Sequence, residues 1–559
     1  MKWYFIDDGN ERFFRNNNTV YDMHQLRMDE FYLTLNNYIS SSDTHLYTLN
    51  KDCIECPYTS NLRLPDKASI ISKYSTHLKF RIASGYSETY LPEDETETVV
   101  CNLDDDFGQF GIYNVDVNET GCFTTTLKEP VNIYSPMLTV ALIYVFSFII
   151  IYGAIFTWNK FIRKKIVENT EPTPKKARIK SLDTFRGITI VLMIFANFGC
   201  GGYHFIEHTT WNGLHVADIV FPCFIWIMGA CIPMSLNSSF KRGHSNKVIF
   251  LNILKRSIKL FCLGIFLGSG ANLNFLRLFG VLQRFGVAYL VATTICLFCL
   301  KRPNNQNDDA KKPNMLEDIL ILSKGWIIAL IIVIFHTIII FTDLGGLHKN
   351  RSYVDCIGGA TGYLDKLLLG NHVYQYPTTV EVYLSKPFDP EGIVGCLTTI
   401  FHVFFGIQAG VTLHVYKSHT QRILRWLLWA IACGLIGGGL CSFSKEDGVI
   451  PVNKNLWSTS FVLVTSCFAF TLLAACYVLV DLRKWWSGKP FLFAGMNAIL
   501  MYIGHEMTDG HFPVRWYTED EGGVSRRTHF EALLSDMWGT GVWVLISYYL
   551  YKINYFFTV

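Results

Sequence analysis

Long uncharged apolar segments constrain this chain more than any other feature of its sequence. The first, MLTVALIYVFSFIIIYGAIFTW at 137–158, has 22 residues and no charged side chain. About 20 apolar residues in a helix are enough to cross the hydrocarbon core of a bilayer. Ten further candidate spans follow at about 186–206, 214–236, 257–271, 278–300, 325–343, 392–416, 423–442, 457–481, 490–505 and 530–551. The predicted fold class is therefore a polytopic α-helical membrane protein with about eleven transmembrane helices.

The composition divides the chain into two parts. Hydrophobic residues make up 50% of the sequence and charged residues 17%, whereas soluble domains average about 25% charged residues. The net charge is −10 before Pro136 and +13 from Pro136 onward. We therefore expect an acidic, polar N-terminal domain at 1–135 and a basic, apolar membrane domain at 136–559.

The N-terminal domain is predicted to be small and β-rich. Alternating apolar and polar residues at 77–82 and 97–102, between turns rich in glycine and aspartate, are typical of strands. Four cysteines and two N-glycosylation motifs indicate an oxidising compartment. These residues are Cys53, Cys56, Cys101, Cys122, Asn17 and Asn118. Cys53-x-x-Cys56 is also compatible with a zinc or redox motif. Because it has no second such motif and no histidine cluster beside it, we favour structural disulfides, with the pairing open.

Charge in the connecting segments predicts the topology. The segment 159–180, which follows the first span, is densely basic, and short basic connections lie in the cytosol. This places the N-terminal domain on the lumenal side. The longest predicted lumenal connection, 344–391, contains a third glycosylation motif at Asn350. With about eleven spans, the C-terminus is expected in the cytosol.

Several classes of site have no motif in this sequence. We find no GxxxxGK[ST] phosphate loop, no GxGxxG after a strand and no HExxH zinc motif. The basic tracts flank apolar segments, so they indicate contact with membrane lipid rather than with nucleic acid. We expect no metal ion and no nucleic-acid partner.

The connection YHFIEHTTWNGLHVADIVFP at 203–222 is unusually polar for a predicted lumenal hairpin between two spans. We expect His208 to act as a base or as a nucleophile toward an acyl group, because neutral imidazole titrates near working pH. Glu207 or Asp218 would orient its ring. The other members of this cluster are His204, Trp211, Asn212 and His215. Each one alone is explained as an interfacial polar residue, but together they favour a functional site.

Asn197 is predicted to face a polar cavity. The span 186–206 contains it about three turns from the cytosolic start, where an unpaired amide is costly. Gly199, Gly201 and Gly202 follow it, and they would let the backbone leave the helix or approach a ligand. Asp218 lies inside the next span and is a candidate for the same reason.

Cationic residues at the predicted cytosolic ends suggest an anion site. Arg186 begins one span, and Gln283 and Arg284 lie within another apolar segment. A guanidinium in such surroundings would bind a phosphate or a carboxylate. Lys255 would add positive charge, although snorkelling toward lipid headgroups explains this lysine better than ligand binding.

The segment GMNAILMYIGHEM at 495–507 places Asn497, His505 and Glu506 about two helical turns apart. His505 and Glu506 would emerge on the lumenal side and could face the hairpin. A helix-end cap or an interfacial pair explains them about equally well.

The segment 178–235 closely resembles the hallmark region of the heparan-α-glucosaminide N-acetyltransferase family; it reads RIKSLDTFRGITIVLMIFANFGCGGYHFIEHTTWNGLHVADIVFPCFIWIMGACIPMS. The resemblance continues in the same order through six further motifs. These are GVLQRFGVAY (280–289), CIGGATGYLDKLLLG (356–370), FDPEGIVGCL (388–397), GIQAG (406–410), KNLWSTSF (454–461) and GMNAILMYIGHE (495–506). It covers essentially the whole membrane domain.

This resemblance implies a lysosomal membrane enzyme that moves the acetyl group of cytosolic acetyl-CoA to the terminal glucosamine of heparan sulfate. It implies that His208 carries the acetyl group or acts as general base, with Asn197 essential and Asp218 in support. Acetyl-CoA would then be bound by Arg186, Arg284, Gln283 and Lys255. The sugar would be bound by Glu207, Trp211, Asn212, His505 and Glu506. We also expect a homodimer in contact with membrane lipid.

A transporter or flippase of a sugar or lipid-linked substrate is the alternative class. Many spans with intramembrane polar residues are common to both classes. Transporters commonly have repeated halves with broken helices, and we find no strong internal repeat. A non-catalytic, receptor-like membrane protein is a third interpretation.

Overall fold

The computed structural model describes most of the chain. The described residues are 13–16, 19–39, 43–53, 56–91, 98–103, 106–161, 179–268, 273–300, 314–341, 359–383, 387–516, 518–519, 525–526 and 528–557. The chain forms two compact units. The first contains Met1–Arg178, Gly199–Tyr203 and Val514–Trp538, and the second contains Ile179–Phe198, His204–Pro513 and Gly539–Val559.

The first unit is rich in β-strands, which confirms the predicted β-rich N-terminal region. Its described strands are β1 (Phe13–Asn16), β2 (Thr19–Asp22), β3 (Glu30–Asn37), β4 (Thr44–Asn50), β5 (Tyr58–Leu64), β6 (Ser69–Ser75), β7 (Leu78–Ser84), β8 (Thr89–Tyr90), β9 (Val99–Leu103), β10 (Ile112–Asn118), β11 (Gly121–Lys128), β12 (Thr518–Glu519) and β13 (Ser525–Arg526). The two larger sheets have the strand orders β11-β10-β3-β6 and β8-β5-β4-β7-β9, and β1-β2 and β12-β13 form short pairs. β3 and β10 pair in parallel.

Alternating side chains of these strands form the core of the unit. In β10, Val115 and Val117 are fully buried, while Asn114 and Asp116 beside them are only partly buried. This period of two is required of a strand with one face on a core. Aromatic stacking adds to it, because the rings of Phe31 and Phe107 stack with centroids 4.9 Å apart.

Two disulfides stabilise this unit and confirm the disulfide prediction. Cys53 pairs with Cys56, and Cys101 pairs with Cys122. The second bond joins β9 to β11, which lie in different sheets. Of the predicted glycosylation sites, Asn118 ends β10, and Asn17 and Asn350 lie outside the described residues.

Helices make up most of the described part of the second unit. The helices of the chain are α1 (Ser135–Phe161), α2 (Lys180–Asn197), α3 (Val216–Lys241), α4 (Asn246–Gly268), α5 (Val281–Cys299), α6 (Glu317–Phe341), α7 (Gly359–Leu369), α8 (Thr379–Tyr383), α9 (Gly395–Val415), α10 (His419–Leu440), α11 (Thr459–Cys476), α12 (Phe491–Met496), α13 (Ala498–Thr508) and α14 (His529–Lys552). A π-helical segment, Tyr477–Leu482, continues α11.

Six of the described helices are long and apolar enough to cross a membrane: α3, α5, α6, α9, α10 and α11 with its continuation. α1 adds a shorter apolar segment, Ser135–Ile151. These helices confirm a polytopic α-helical membrane protein. The total of eleven spans stays a prediction.

Several predicted spans have different boundaries in the structure. The span predicted at 186–206 is α2, which ends at Asn197 because Gly199, Gly201 and Gly202 have φ angles of 113°, 69° and 72°. Asn197 is therefore the last residue of a helix and not an interior one. The span predicted at 257–271 is α4, which begins already at Asn246.

The span predicted at 490–505 is divided into α12 and α13 at Asn497. The side-chain amide of Asn497 donates to the Tyr555 carbonyl at 3.0 Å, and its oxygen accepts from Phe557 N at 3.1 Å. A side chain that bonds to another segment of backbone explains the break at this residue.

Glycines allow α3 and α9 to pack with their backbones in contact. A Cβ atom on Gly406 would lie 2.0 Å from the Trp226 carbonyl oxygen, and one on Gly229 would lie 2.3 Å from the Val403 oxygen. Small residues serve this purpose between helices in a bilayer, where packing rather than water exclusion drives association. This packing fixes the position of α3, whose first turn contains Asp218.

Candidate active site

The hairpin 204–215 is organised around the carboxylate of Asp218. This side chain is fully buried, and its Oδ2 accepts hydrogen bonds from the backbone N–H groups of Thr209 and His215, both at 3.1 Å. His215 directly precedes α3, so the second bond satisfies an otherwise unpaired N–H at the helix start. Oδ1 is left for another partner.

His208 is that partner. Its Nδ1 lies 2.8 Å from Asp218 Oδ1. With Nδ1 as the donor to this carboxylate, which only accepts, Nε2 keeps a lone pair. The His208 side chain remains 41% accessible, whereas Asp218 has no accessible surface. A partly accessible imidazole that a carboxylate orients in this way is suited to general-base or nucleophilic chemistry.

A lysine far away in the sequence completes this group. Lys454 Nζ lies 2.8 Å from His208 Nδ1 and 3.4 Å from Asp218 Oδ1. The segment 451–458 that carries it is hydrogen-bonded along the hairpin. The bonds run from Asn453 Nδ2 to Asn212 Oδ1 (3.0 Å), from Gly213 N to Val452 O (2.8 Å) and from Asn455 Nδ2 to Thr210 O (3.0 Å). These bonds hold Lys454 beside His208.

The surroundings hold the pKa of His208 below its ordinary value. The largest cause is the surrounding protein, which disfavours the charged ring, and the positive charge of Lys454 adds to it. Asp218 and Glu391 act in the opposite direction and are outweighed. The ring therefore stays neutral at a lower pH than an ordinary histidine.

A buried ionic cluster lies in the segment before α9. Arg277 Nη2 contacts Asp389 Oδ1 and Glu391 Oε2, both at 2.6 Å. Burial opposes the ionisation of Glu391, but Arg277 outweighs it and holds the pKa of this carboxyl below its ordinary value. Glu391 is thus a fixed negative charge within electrostatic range of His208.

A second polar group joins the end of α2 to the end of α13. His505 Nδ1 donates to the Met501 carbonyl at 2.9 Å, so its Nε2 accepts from Asn197 Nδ2, also at 2.9 Å. The second amide hydrogen of Asn197 is donated to Glu506 Oε1 at 3.0 Å. Both hydrogens of Asn197 are used, and its Oδ1 has no partner among the described residues. The structure thus brings together Asn197, His505 and Glu506, which the sequence analysis singled out.

A partly open cavity of about 480 Å³ lies among α2, α3, α4, α5, α12 and α13. Three arginines line it: Arg186, Arg242 and Arg256. Apolar side chains line most of the rest, among them Met193, Phe224, Met228 and Phe285. Phe221 and Tyr502 also line it, one helical turn from Asp218 and from His505 respectively. Tyr502 is within electrostatic range of both Glu506 and Glu391.

Of the four residues predicted to bind acetyl-CoA, only Arg186 is among the lining residues. Its Nη1 lies 3.3 Å from Asp183 Oδ1, and its Nη2 lies 3.2 Å from Cys231 Sγ. Lys255 is exposed. Its neighbour Arg256 points to the cavity, with its guanidinium 4.7 Å from the centre of the Tyr289 ring.

Arg284 and Gln283 occupy a different face of α5. Arg284 is fully buried, and its Nη2 donates to the carbonyls of Pro390 at 3.0 Å and Gly392 at 3.2 Å. Its guanidinium also lies 4.9 Å from the centre of the Trp457 ring. Gln283 packs against Gly264 of α4. Successive helical residues are about 100° apart, so these side chains diverge from Leu282 and Phe285, which line the cavity.

The remaining predicted residues have distinct surroundings. Trp211 lies near Tyr383 and Phe388, with ring centroids 6.4 Å apart in both pairs. Asn212 is used in the bond to Asn453 described above. Glu207 is exposed, and its backbone carbonyl accepts from His215 Nδ1 at 3.1 Å.

Sequence reasoning missed several residues of this region: Lys454, Glu391, Arg277, Tyr502 and Arg242. Lys454 and Glu391 lie in the motifs KNLWSTSF and FDPEGIVGCL, so the resemblance marked their segments. The resemblance did not indicate a role for Lys454, because the residues next to it in the sequence do not show that it contacts His208.

Comparison with known proteins shows the same similarity along nearly the whole chain. Residues 178–304 match the family model described as heparan-alpha-glucosaminide N-acetyltransferase, catalytic. The chain is 33% identical over 602 aligned residues to the heparan-alpha-glucosaminide N-acetyltransferase of Mus musculus, an alignment that covers 96% of this chain and 89% of the mouse protein. It is 32% identical over 597 aligned residues to the Homo sapiens protein of the same name, with the same coverage of 96% and 89%.

Proposed function

Because the chain belongs to the heparan-α-glucosaminide N-acetyltransferase family, we propose that it transfers the acetyl group of acetyl-CoA to the terminal glucosamine amine of heparan sulfate. The donor would enter from the cytosol, and the acceptor would bind in the lysosomal lumen. One observation carries this proposal. Three arginines line the cavity, and its lining includes residues one helical turn from Asp218 and from His505.

The cavity suits the two chemically different parts of acetyl-CoA. Guanidinium groups bind phosphate oxygens in bidentate geometry, so Arg186, Arg242 and Arg256 would hold the nucleotide phosphates. The apolar lining formed by Met193, Phe224 and Met228 would surround the pantetheine arm. In this orientation the thioester is the part that approaches His208.

His208 would carry or promote the transfer through Nε2. In one route, Nε2 attacks the thioester carbonyl, the C–S bond breaks and CoA leaves as the thiolate. The glucosamine amine then attacks the acetyl-imidazole, its proton is lost and the ring is restored. In the other route, the amine attacks the thioester carbonyl directly while Nε2 takes its proton, the C–S bond breaks and CoA leaves as the thiolate. Both routes require a neutral ring oriented by Asp218.

The acceptor would be held by groups at the ends of α2 and α13 and on the hairpin. Asn197 keeps an unpartnered Oδ1, which can accept a hydrogen bond from the glucosamine amine. His505 and Glu506 fix the orientation of this amide through its two N–H groups. Trp211, which lies near Tyr383 and Phe388, offers an aromatic surface to the sugar ring.

Turnover by the purified protein tests the proposal. Full-length protein in proteoliposomes is given acetyl-CoA outside and glucosamine inside, and N-acetylglucosamine and free CoA are measured. Equal amounts of both products are expected from the wild type and none from H208A. Uptake of intact sugar without CoA release would instead support a transporter, and full activity of H208A would contradict the role of His208.

The two routes differ in a trapped intermediate. Incubation with radiolabelled acetyl-CoA alone, followed by peptide mapping, should place the label on His208 if the ring carries the acetyl group. Failure to trap label, together with kinetics that require both substrates to be bound, would leave His208 as a base.

We also propose that the domain at 1–135 faces the lysosomal lumen, that the membrane domain at 136–559 ends in the cytosol, and that the enzyme is a homodimer. The predicted sites Asn17, Asn118 and Asn350 would then be glycosylated. Loss of mass after glycosidase treatment of the wild type, but not of N118Q for that site, would support this topology. Mass photometry in nanodiscs tests the dimer.

A further inference from the structure

Lys454, His208 and Asp218 meet in a triangle of one imidazole, one ammonium and one carboxylate oxygen. His208 Nδ1 lies 2.8 Å from both Asp218 Oδ1 and Lys454 Nζ, and the ammonium lies 3.4 Å from the same carboxylate oxygen. A protonated Nδ1 and an ammonium are both donors, and the acceptors beside them are the carboxylate oxygen and His208 Nε2, which lies 3.5 Å from Lys454 Nζ. When Nδ1 donates to Asp218, Lys454 therefore places a positive charge beside the ring, and this charge disfavours protonation of the ring.

The positive charge of Lys454 opposes the tendency of Asp218 to favour protonation of His208. A buried carboxylate beside an imidazole favours the protonated ring, and a protonated ring has no lone pair at Nε2 for a proton or an acetyl group. The groups that act on His208 include Asp218 from α3, Lys454 from the segment before α11 and Glu391 from the segment before α9. Two of these three are negative, and Lys454 is the cation that offsets them.

The position of Lys454 is built into the structure. Only 15% of its side chain is accessible, and three hydrogen bonds attach its segment to the hairpin, as described above. A lysine free to bind an anionic ligand would extend into solvent, whereas this ammonium is directed at the Asp218–His208 pair.

We propose that Lys454 is a positioning residue for the acetyl transfer, which keeps His208 uncharged while Asp218 still orients its ring. This inference rests on the proposed function of His208. Asp218 can then orient the imidazole without favouring its protonated form. This is because the Lys454 ammonium, at an equal distance from Nδ1, balances the negative charge of Asp218. In a lumen more acidic than the cytosol, that balance keeps the ring in its reactive form.

The acid limb of the pH profile of kcat/KM tests this role. At 2.8 Å, a unit charge in a medium as polar as water contributes about one pH unit to the titration of its neighbour. We therefore expect the acid limb of K454M to move upward by about one pH unit or more, with activity partly retained on its alkaline side. K454R keeps the charge and should keep the wild-type limb.

A matched control is present in the same connecting segment. Lys445 is exposed and packs near Gly213 of the hairpin, but it is not among the main groups that shift the pKa of His208. K445M should leave the acid limb unchanged. If K454M lowers kcat equally at every pH, or only raises the KM for the acceptor, Lys454 binds substrate or supports the fold and our inference is wrong.

A second readout separates this inference from the proposed function. Diethyl pyrocarbonate modifies neutral imidazole, so the pH dependence of its reaction with His208, followed by mass spectrometry of the peptide, reports the protonation of this ring without turnover. A shifted profile in K454M with no acetyl transfer by the wild type would retain the electrostatic role and reject the function. If the wild type transfers acetyl groups but the modification profile of K454M is unshifted, the proposed function is retained and the electrostatic role of Lys454 is rejected. If K454M does not fold, K454Q takes its place with the same expected shift.

Discussion

Asp218 holds the proposed active site through two different oxygens, and replacing it by asparagine separates their roles. Oδ2 accepts the backbone N–H groups of Thr209 and His215, while Oδ1 faces His208 Nδ1. In D218N, the remaining oxygen can occupy the Oδ2 position and keep both backbone bonds. The new NH₂ group would then face Nδ1.

The expected result of D218N is a folded enzyme with the wrong tautomer. An NH₂ group only donates, so Nδ1 must accept and the ring hydrogen moves to Nε2. That hydrogen blocks the atom proposed to take the proton or the acetyl group. Loss of an orienting carboxylate of this kind lowers kcat by about 10²- to 10⁴-fold. Stability should change little by comparison, because the helix cap is retained.

D218A shows how much stability is lost when the side chain can no longer accept the two backbone hydrogen bonds. It removes both backbone bonds to a charged group, each contributing about 1.5–3 kcal/mol, and it leaves a cavity. We expect the free energy of unfolding to fall by about 3–6 kcal/mol, with loss of activity. Thermal unfolding in detergent and turnover of acetyl-CoA with glucosamine are measured for the wild type, D218N and D218A.

Two outcomes would refute this reasoning. If D218N retains a third or more of the wild-type kcat, the contact between Nδ1 and Oδ1 does not orient a reactive Nε2. If D218N is as unstable as D218A, the carboxylate is chiefly structural, and the assignment of Oδ2 to the cap and Oδ1 to His208 is wrong.

Two further predictions concern the donor cavity and a buried acid. R256M should raise the KM for acetyl-CoA about tenfold or more, because it removes a charge-assisted phosphate contact. K255M, which changes the adjacent exposed lysine, should leave this KM unchanged. Equal effects of the two substitutions in a direct acetyl-CoA titration would count against the cavity as the donor site. Burial raises the pKa of Asp365 from 3.8 to about 7, so the folded state binds a proton between those values that the unfolded state has released. Stability should therefore fall by about 4 kcal/mol as the pH rises from about 4 to about 7. D365N should flatten this dependence, and an unchanged unfolding profile in D365N would contradict the assignment.

Individual residues show how far sequence reasoning reached. His208, Asp218, Asn197, His505 and Glu506 were singled out because polar groups beside apolar spans are costly and need partners, and the structure gives partners to each of them. The helical membrane fold and the disulfides were also predicted correctly. The assignment of Asp218 rather than Glu207 as the residue that orients His208 required the structure, because both are near His208 in the sequence.

Helix ends and side-chain directions were harder to predict. Asn197 was expected inside a span, and the positive φ angles of the following glycines end α2 there instead. Arg284 was grouped with Arg186 as a donor ligand, but it lies on another face of its helix, against Pro390 and Gly392. Hydropathy reports that a segment is apolar, but it does not report which face of the helix meets a cavity.

The sequence by itself determined the class of this protein, because long apolar segments and flanking charges are local properties that a bilayer selects directly. The tertiary structure alone decided which groups act together. Lys454 reaches His208 across 246 positions of sequence because the segment before α11 is hydrogen-bonded to the hairpin. Asn197 reaches His505 across 308 positions because α2 and α13 end side by side. The protonation state of His208 depends on such distant charges, since electrostatic interactions follow distance in space and not separation along the chain.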